Sequence, residues 1–450
     1  AAAPAPAPAD LVFGLGDRRG ADAVRVLWPS GTLQSELVAA GPRRAASMEV
    51  KELDRKPSSC PYLYAWNGRS FVFVTDFMGG GEMGYRQAPG VFSVPDPDEY
   101  VRLPPGALVE KDGRFELRVT NELEEALFLD HFALLAVAHP EGVAVFPEEG
   151  LRSSPPDFRL FAVRDLRPLA GAVDDRGRDV GPRLAAGDRT FADGFALHRI
   201  RGYAAEHALT LDLGPDAGED AVLLLTGWTD YAFSSDNVAA QQAGLRLSPP
   251  RLETQDARGA WQTAVAEVGI PVGRPQTLAI PLSGRWRGPG RRARIVTNMR
   301  IYWDQAAVGR LTALETAPAR LLPGRAWLRE RGFSAAASAQ PLTFDYARVS
   351  AVSPWKAFPG RYTRTGDVRE LLAVSDDVFV LSAPGDEVAL SFEAAALPPL
   401  PAGWTRTFLL YADGFSKEMD INSATPDALE PLPFHAMSRY PYRWPEAYPM

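Results

Sequence analysis

Aromatic and carboxylate side chains occur together at two places in the chain, a combination that can bind or cleave sugars. Glycoside hydrolysis needs two carboxyl groups at the right separation in space, with no fixed spacing in sequence. Aromatic rings also line many ligand-binding clefts. We therefore predict a ligand-binding site, with core aromatic rings beside turn-forming aspartates as the alternative interpretation. The residues concerned are Trp228, Asp230, Tyr231, Tyr302, Trp303 and Asp304.

A second group of oxygen-bearing side chains lies in the last fifty residues. It consists of Asp413, Glu418, Asp420 and Asn422, which we place in a loop after a strand at residues 405–411. Calcium binds several carboxylate and amide oxygens on one compact loop. The spacing differs from that of an EF-hand, and Asp413-Gly414 is also a common turn pair. The sequence therefore predicts a calcium site here, with a plain turn as the alternative.

The five histidines do not indicate a further metal site. His131 and His139 flank one apolar strand, and at about 3.3 Å per residue roughly 26 Å separates them. That distance is too large for one shared metal ion. His198, His207 and His435 have no partner at ligand spacing, so we interpret them as structural histidines.

Other catalytic chemistries lack their sequence motifs. Cys60 is the only cysteine, which excludes an intrachain disulfide, a four-cysteine zinc site and a Cys-x-x-Cys redox pair. The chain has no Gly-x-Ser-x-Gly segment that would expose a nucleophilic serine. The glycine run at residues 79–81 is interpreted as a flexible turn, although it could also let the backbone approach a ligand.

The composition is that of a globular protein without an affinity for polyanions. Hydrophobic residues make up 46% of the 450-residue chain, enough to form buried cores. The formal net charge of −8 disfavours nucleic-acid binding, which needs a concentrated positive field. The longest apolar run, residues 132–138, is much shorter than the ~20 residues of a membrane-spanning helix. We expect neither nucleic-acid binding nor membrane insertion.

Short alternating segments indicate strands along most of the chain. A typical example is residues 62–76, where alternating aromatic residues flank Asn67-Gly68, a two-residue hairpin signal. The 39 Gly and 40 Pro residues would interrupt helices, and the clearest helix is predicted at residues 236–243. Residues 153–198 show little periodicity and are predicted to be irregular. The predicted fold class is mainly β, with two or three antiparallel β-sandwich or jelly-roll-like modules.

Two short motifs near the N-terminus resemble a known module. The segments Phe13-Gly14-Leu15-Gly16 and Trp28-Pro29-Ser30-Gly31 resemble the end of the ASPIC/UnbV module of cartilage-acidic-protein-like bacterial proteins. Later segments are similar to the long tail that follows this module in some large bacterial members. These segments are residues 59–62, 75–77, 130–131, 139–140, 226–230, 301–304 and 432–435.

In such proteins the module usually follows an FG-GAP-type β-propeller, which often carries calcium. The resemblance implies an extracytoplasmic location, which is periplasmic, cell-surface or secreted, and a role in adhesion or assembly. The calcium sites of the propeller cannot be assigned to any residue of this chain. Because the chain starts with Ala1 rather than methionine, we expect that a preceding segment, with any targeting signal, has been removed.

These observations predict an Ala/Pro linker at residues 1–9 and the end of an ASPIC/UnbV-like module at 10–56. Three β modules are predicted at 57–150, 151–305 and 306–450. We expect a non-catalytic binding or assembly module that docks on a protein partner, such as the propeller portion, or on a glycan. The alternatives are a carbohydrate-active hydrolase with paired carboxylates and a structural subunit of a larger envelope complex.

Overall fold

In a computed structural model, the described residues are 11–18, 20–21, 23–27, 33–37, 48, 50, 61–153, 158–273, 275–339, 342–353, 355 and 357–449. The strands before residue 61 form an antiparallel hairpin of β1 (Ala23–Leu27) and β2 (Leu33–Leu37). The predicted linker at residues 1–9, the motif at 28–31 and Cys60 lie outside the described residues.

Strands make up 45% of the structure and helices 6%, which confirms the predicted fold class. The predicted helix at residues 236–243 corresponds to α1 (Ser234–Gln242). None of the helices among the described residues is both long and apolar enough to span a membrane.

The strands after residue 60 follow one another along the chain in this order: β3 (Tyr62–Trp66), β4 (Phe71–Asp76), β5 (Arg86–Ala88), β6 (Val91–Phe92), β7 (Asp98–Arg102), β8 (Arg114–Thr120), β9 (Glu125–Pro140), β10 (Ala144–Pro147), β11 (Leu160–Pro168), β12 (Gly171–Asp174), β13 (Tyr203–Asp212), β14 (Ala221–Thr229), β15 (Arg251–Gln255), β16 (Trp261–Val265), β17 (Gln276–Pro281), β18 (Arg292–Met299), β19 (Ile301–Thr312), β20 (Ala319–Leu321), β21 (Arg325–Glu330), β22 (Phe333–Ala339), β23 (Leu342–Ser350), β24 (Gly366–Asp367), β25 (Val380–Ser382), β26 (Asp386–Glu393) and β27 (Trp404–Glu418).

Two antiparallel sheets form a first sandwich. One sheet has the strand order β20-β9-β27-β7, with β25 also paired to β9, and the other has the order β24-β21-β26-β8-β3-β4. Their inner faces share one core, in which Phe132 and Leu410 of the first sheet pack with Leu117 and Leu390 of the second. All four side chains are fully buried, so burial of apolar surface is the main force that holds the two sheets together.

Two further antiparallel sheets form a second sandwich, with strand orders β10-β11-β19-β14-β17 and β12-β13-β18-β15-β16. Leu223 and Trp303 of one sheet pack with Leu211 and Ile295 of the other in its core. The outer faces of the two sandwiches also meet, because Leu135 and Leu409 of the first share an apolar cluster with Val145 at the edge of the second.

The sheets do not follow the three predicted β modules. Residues 57–150 and 306–450 contribute strands to the same two sheets, since β9 pairs with β27 and β8 pairs with β26. Residues 144–312 supply all strands of the second sandwich. Pairing between distant segments leaves no local mark in a sequence, which is why glycine and proline punctuation did not reveal it.

The stretch at residues 153–198 is less irregular than predicted, because it contains β11 and β12. Residues 161–163 of β11 are buried on both faces of the strand, so they lack the alternation that marks a strand with one solvated face. The predicted two-residue turn at Asn67-Gly68 is also different. Trp66 pairs with Phe71, and the four-residue loop between them is closed by the Asn67 side chain, which accepts the N–H groups of Arg69 and Ser70.

Candidate functional site

The hairpin of β5 and β6 is docked on α1 by polar contacts. The Asn237 side-chain amide donates to the carbonyl oxygen of Arg86 at 2.7 Å and to the Tyr85 hydroxyl at 2.9 Å. The backbone N–H of Arg86 donates to Ser234 Oγ at 3.0 Å. These contacts fix the position of the hairpin beside the second sandwich.

A cavity of about 870 Å³ lies between this hairpin and the second sandwich, and we call it the Glu82 cavity. Its volume lies within the range of pockets that hold small ligands. Gly80 lines it, so the glycine run at residues 79–81 does lie beside a cavity. Most of the other lining groups are apolar or aromatic, and the lining includes Glu82, Tyr85, Phe92, Tyr203, Tyr231 and Met299.

Glu82 places a carboxyl group in the wall of this cavity. A parallel bridge to Ser416 of β27 positions the residue. Its Oε1 atom is buried and accepts no hydrogen bond, while the carboxyl within hydrogen-bonding reach of the Glu82 side chain is that of Glu418. Burial, followed by the charges of Glu418 and Glu125, raises the pKa of Glu82 well above its ordinary value. Two carboxyl groups within hydrogen-bonding reach of each other repel when both are ionised, so they need a proton or a cation between them.

Three tyrosines line the cavity, and hydrogen bonds to the protein hold two of them, Tyr85 and Tyr203. The Tyr85 hydroxyl donates to the carbonyl oxygen of Ala232 at 2.6 Å, and the Tyr203 hydroxyl donates to Asn237 Oδ1 at 2.9 Å. Tyr85 and Tyr231 line the same cavity as Glu82, and burial together with the charge of Glu82 raises the pKa values of both tyrosines.

A second polar centre, which we call the Asp–His cluster, consists of Asp130, Asp377, Asp413 and His435. His435 Nδ1 lies 2.7 Å from Asp377 Oδ1 and 3.7 Å from Asp130 Oδ2, and its Nε2 lies 2.8 Å from Asp413 Oδ1. The hydrogen bond with Asp413 raises the pKa of His435 to about 9. Burial raises the pKa of Asp130 to about 6.

A β-bulge brings two members of this cluster to the same face of their sheet. Asp413 pairs with His131 whereas Gly414 pairs with Leu129, so Asp130 is the extra residue of β9. A bulge redirects the side chains around it. A Cβ atom at residue 414 would lie 2.3 Å from the Phe128 carbonyl oxygen, so the bulge requires glycine at this position.

The Asp–His cluster has the composition of a metal centre. One ligand atom each from Asp130, Asp377 and His435 lie within 4.8 Å of one another. The contact from Asp413 to the far nitrogen of His435 is the kind that orients a metal-binding histidine. A nitrogen ligand fits zinc-like ions better than calcium, which prefers oxygen. The same contacts also suit a protonated imidazole held between two carboxylates.

The six residues of the predicted aromatic and carboxylate site are distributed over separate places. Trp228 and Tyr302 stack on each other with ring centroids 4.8 Å apart. Asp230 forms ion pairs with Arg201 and Arg300.

The other three members occupy three different environments. Trp303 is buried in the core of the second sandwich. Asp304 accepts the backbone N–H of Arg189 at 2.6 Å and lines a smaller cavity of about 530 Å³. Tyr231 lines the Glu82 cavity.

The four residues of the predicted calcium loop are also divided. Asp413 and Glu418 lie within β27 rather than in a loop after it. Because one has an odd and the other an even position in the strand, their side chains point to opposite faces of the sheet. Asp413 joins the Asp–His cluster, whereas Glu418 approaches Glu82. Asp420 accepts hydrogen bonds from the backbone and hydroxyl of Ser235, and Asn422 donates to that hydroxyl, so both stabilise the start of α1. Calcium binding by the set stays a prediction.

Sequence reasoning missed Glu82 and assigned His435 a structural role. The ligand-spacing criterion fails for His435 because its three carboxylate partners come from β9, β27 and the segment before β25. Glu82 follows a glycine run that was interpreted as a turn. A useful signal was available at Asp413-Gly414, where a glycine inside an alternating strand indicates a bulge.

Comparisons of the chain with protein-family models, with curated proteins and with solved structures find no match.

Proposed function

We propose that this chain is a non-catalytic binding module and that its ligand, or a segment of its protein partner, occupies the Glu82 cavity. The observation that carries the proposal is the cavity itself, which is formed where the β5–β6 hairpin, α1 and the second sandwich meet. An apolar pocket with a few polar groups is the usual form of a binding site.

The hydrolase alternative has less support from the geometry. Asp230 is held by two arginines and Asp304 by a backbone N–H group, so neither is presented as one of a pair flanking a substrate. A glycan ligand would pack its sugar rings against the stacked rings of Trp228 and Tyr302. Replacement of both residues by alanine, followed by a glycan-binding measurement, tests this alternative. The extracytoplasmic location and the alternative of an envelope-complex subunit are proposals that rest on the resemblance to ASPIC/UnbV proteins.

The experiment is purification from the native source with mass spectrometry of what remains bound, followed by the same measurement on two variants. Val94 lines the cavity and is 67% exposed, whereas Val352 is 77% exposed and does not line it. Val94→Trp fills the cavity opening and should abolish binding, whereas Val352→Trp should bind like the wild type. Equal retention by both variants would place the binding site elsewhere.

A further inference from the structure

The charged groups that line the Glu82 cavity differ in how well they are paired. Apart from Glu82 itself, they are Arg152, Arg246 and Glu267. Arg152 forms an ion pair with Glu148 at 2.8 Å, although its Nε atom is buried without a partner, and Arg246 is exposed to solvent. Glu267 accepts two hydrogen bonds from Ser153 at 2.9 Å and 2.7 Å. Glu82 has a buried carboxyl oxygen that accepts no hydrogen bond and lies near further carboxyl groups. Arg152 has an opposite charge beside it, whereas Glu82 has only further carboxyl groups beside it. In the described part of the cavity wall, the buried charge that lacks a counter-ion is therefore the negative charge of Glu82.

The aromatic walls suit the same kind of partner. The phenol protons of Tyr85 and Tyr203 are donated to protein acceptors, so these hydroxyls are not free to donate to an anionic ligand. What the rings still offer is their π-electron faces. Aromatic faces attract cations, most strongly where water is excluded.

We propose that the Glu82 cavity binds an organic cation, an alkylammonium or quaternary ammonium group on an apolar stem, with Glu82 as its counter-ion and Tyr85, Tyr203 and Tyr231 as its walls. This inference rests on the proposed function and names the chemical class of its ligand. The cation supplies the positive charge that the paired carboxyl groups of Glu82 and Glu418 otherwise obtain from a proton. Its stem covers the apolar walls around Phe92 and Met299.

The test is titration calorimetry of the full chain with three probes that each contain a six-carbon chain: hexyltrimethylammonium, n-hexanol and hexanoate. We expect the ammonium probe to bind about tenfold more tightly than the alcohol, and hexanoate to bind weakest. Glu82→Gln should lower the affinity for the ammonium probe by about tenfold and change the affinity for hexanol by less than about twofold. Glu267→Gln, which removes the same charge from a hydrogen-bonded position of the same wall, should lower the affinity for the ammonium probe by less than about threefold.

The aromatic contribution is tested with two variants of one residue. Tyr231→Phe keeps the ring and should bind the ammonium probe like the wild type, whereas Tyr231→Leu should weaken it by about fivefold. Thermal unfolding of each variant shows whether it is folded. If Tyr231→Leu does not fold, the comparison of Glu82→Gln with Glu267→Gln alone tests whether the cavity binds a cation.

The possible results separate the two proposals. Equal binding of hexanol and hexyltrimethylammonium, or equal effects of Glu82→Gln and Glu267→Gln, would overturn the cation assignment and leave the binding function standing. If no probe binds and Val94→Trp also retains its native ligand, both proposals fail.

The ammonium group can belong to a free small molecule or to a lysine of a partner segment. A lysine-containing peptide compared with its norleucine counterpart distinguishes these sources. Tighter binding of the lysine peptide than of hexyltrimethylammonium supports the cation assignment with a protein partner as the source. Tighter binding of the free cation supports it with a small molecule.

Discussion

The Nε2 atom of His435 lies 2.8 Å from the Oδ1 atom of Asp413, and this contact fastens residues 419–449 back onto the middle of β27. His435 is held on its other side by Asp377. The histidine therefore joins a strand of the first sandwich to two segments that are not part of its sheets. The strength of this connection depends on the charge of one imidazole ring.

The stabilisation by His435 should depend on pH. Its pKa is raised in the folded chain to about 9 from an ordinary 6.5, so its contribution is fully present below pH 6.5 and is lost as the pH rises through 9. With a chelator present, His435→Gln should lower the free energy of unfolding by about 2 kcal/mol at pH 6, after allowance for the partial exposure of the ring. Urea unfolding at pH 6 and pH 9.5 measures this, and an equal loss at both pH values would contradict it.

Glu82→Gln should stabilise the chain at high pH. A carboxyl group whose pKa is raised by folding stabilises the native state at low pH, and this contribution is lost as the pH rises through the folded pKa. Glutamine carries no charge, and its amide can donate to the Glu418 carboxylate. At pH 8 the variant should be more stable than the wild type by about 1–3 kcal/mol, the cost of an unpartnered buried group, and the difference should nearly vanish at pH 5. Thermal unfolding without added ligand tests this, and a lower melting temperature at pH 8 would count against the burial argument.

Binding of hexyltrimethylammonium should tighten as the pH rises. Its own charge is independent of pH, so the change must come from the protein. The groups that face Glu82 are Glu125, Glu418 and Asp420, with Tyr85 and Tyr231. Because burial and the neighbouring carboxyl groups raise the pKa of Glu82, its carboxyl group loses its proton at a higher pH than an ordinary glutamate does. We expect an increase in affinity of about threefold or more between pH 6 and pH 8. In Glu82→Gln the dependence should be smaller, and an unchanged slope would assign it to another group.

Gly414→Ala should destabilise the chain far more than Gly403→Ala. At residue 414 the new methyl group meets the Phe128 carbonyl oxygen, whereas at residue 403 nothing lies within 4 Å. We expect a loss of about 3 kcal/mol or more at position 414 and of about 1 kcal/mol at position 403, where the backbone is left-handed. Urea denaturation of both variants provides the measurement. Similar losses would mean that the bulge can relax.

Asp420→Ala should weaken the start of α1. The side chain accepts the N–H and hydroxyl of Ser235 in the first turn, a role comparable to that of a helix cap, worth about 1 kcal/mol. The same loss is expected with and without added calcium. A loss that appears only with calcium would instead favour the predicted calcium loop.

The sequence was informative wherever local alternation is complete. Tyr62, Tyr64 and Trp66 alternate over one face, and the strand they predict is present. β11 shows no such alternation of apolar and polar residues, because both its faces are buried over residues 161–163. The pairing of β9 with β27 joins segments far apart in the chain, and no property of either strand alone specifies its partner.

The candidate sites were predicted less well than the strands. Sequence reasoning identified Asp413, Glu418 and Tyr231, yet it placed Asp413 with Glu418 in one loop and Tyr231 in a site with Asp304. Folding places Asp413 with His435 and places Glu418 and Tyr231 with Glu82. For Asp413 and Glu418 the reason is geometric, because a strand sends side chains at odd and even positions to opposite faces.

The pairing of β9 with β27 also governs when this protein can fold during its synthesis. β9 is a 16-residue, largely apolar strand whose central partner begins only at Trp404. Until the ribosome has made residues 404–418, one long edge of β9 has no neighbour, and exposed edges of this kind recruit other chains. A nascent chain of this protein should therefore depend on chaperones until residues 404–418 have been made, and a chain released before residue 404 should aggregate rather than form the first sandwich.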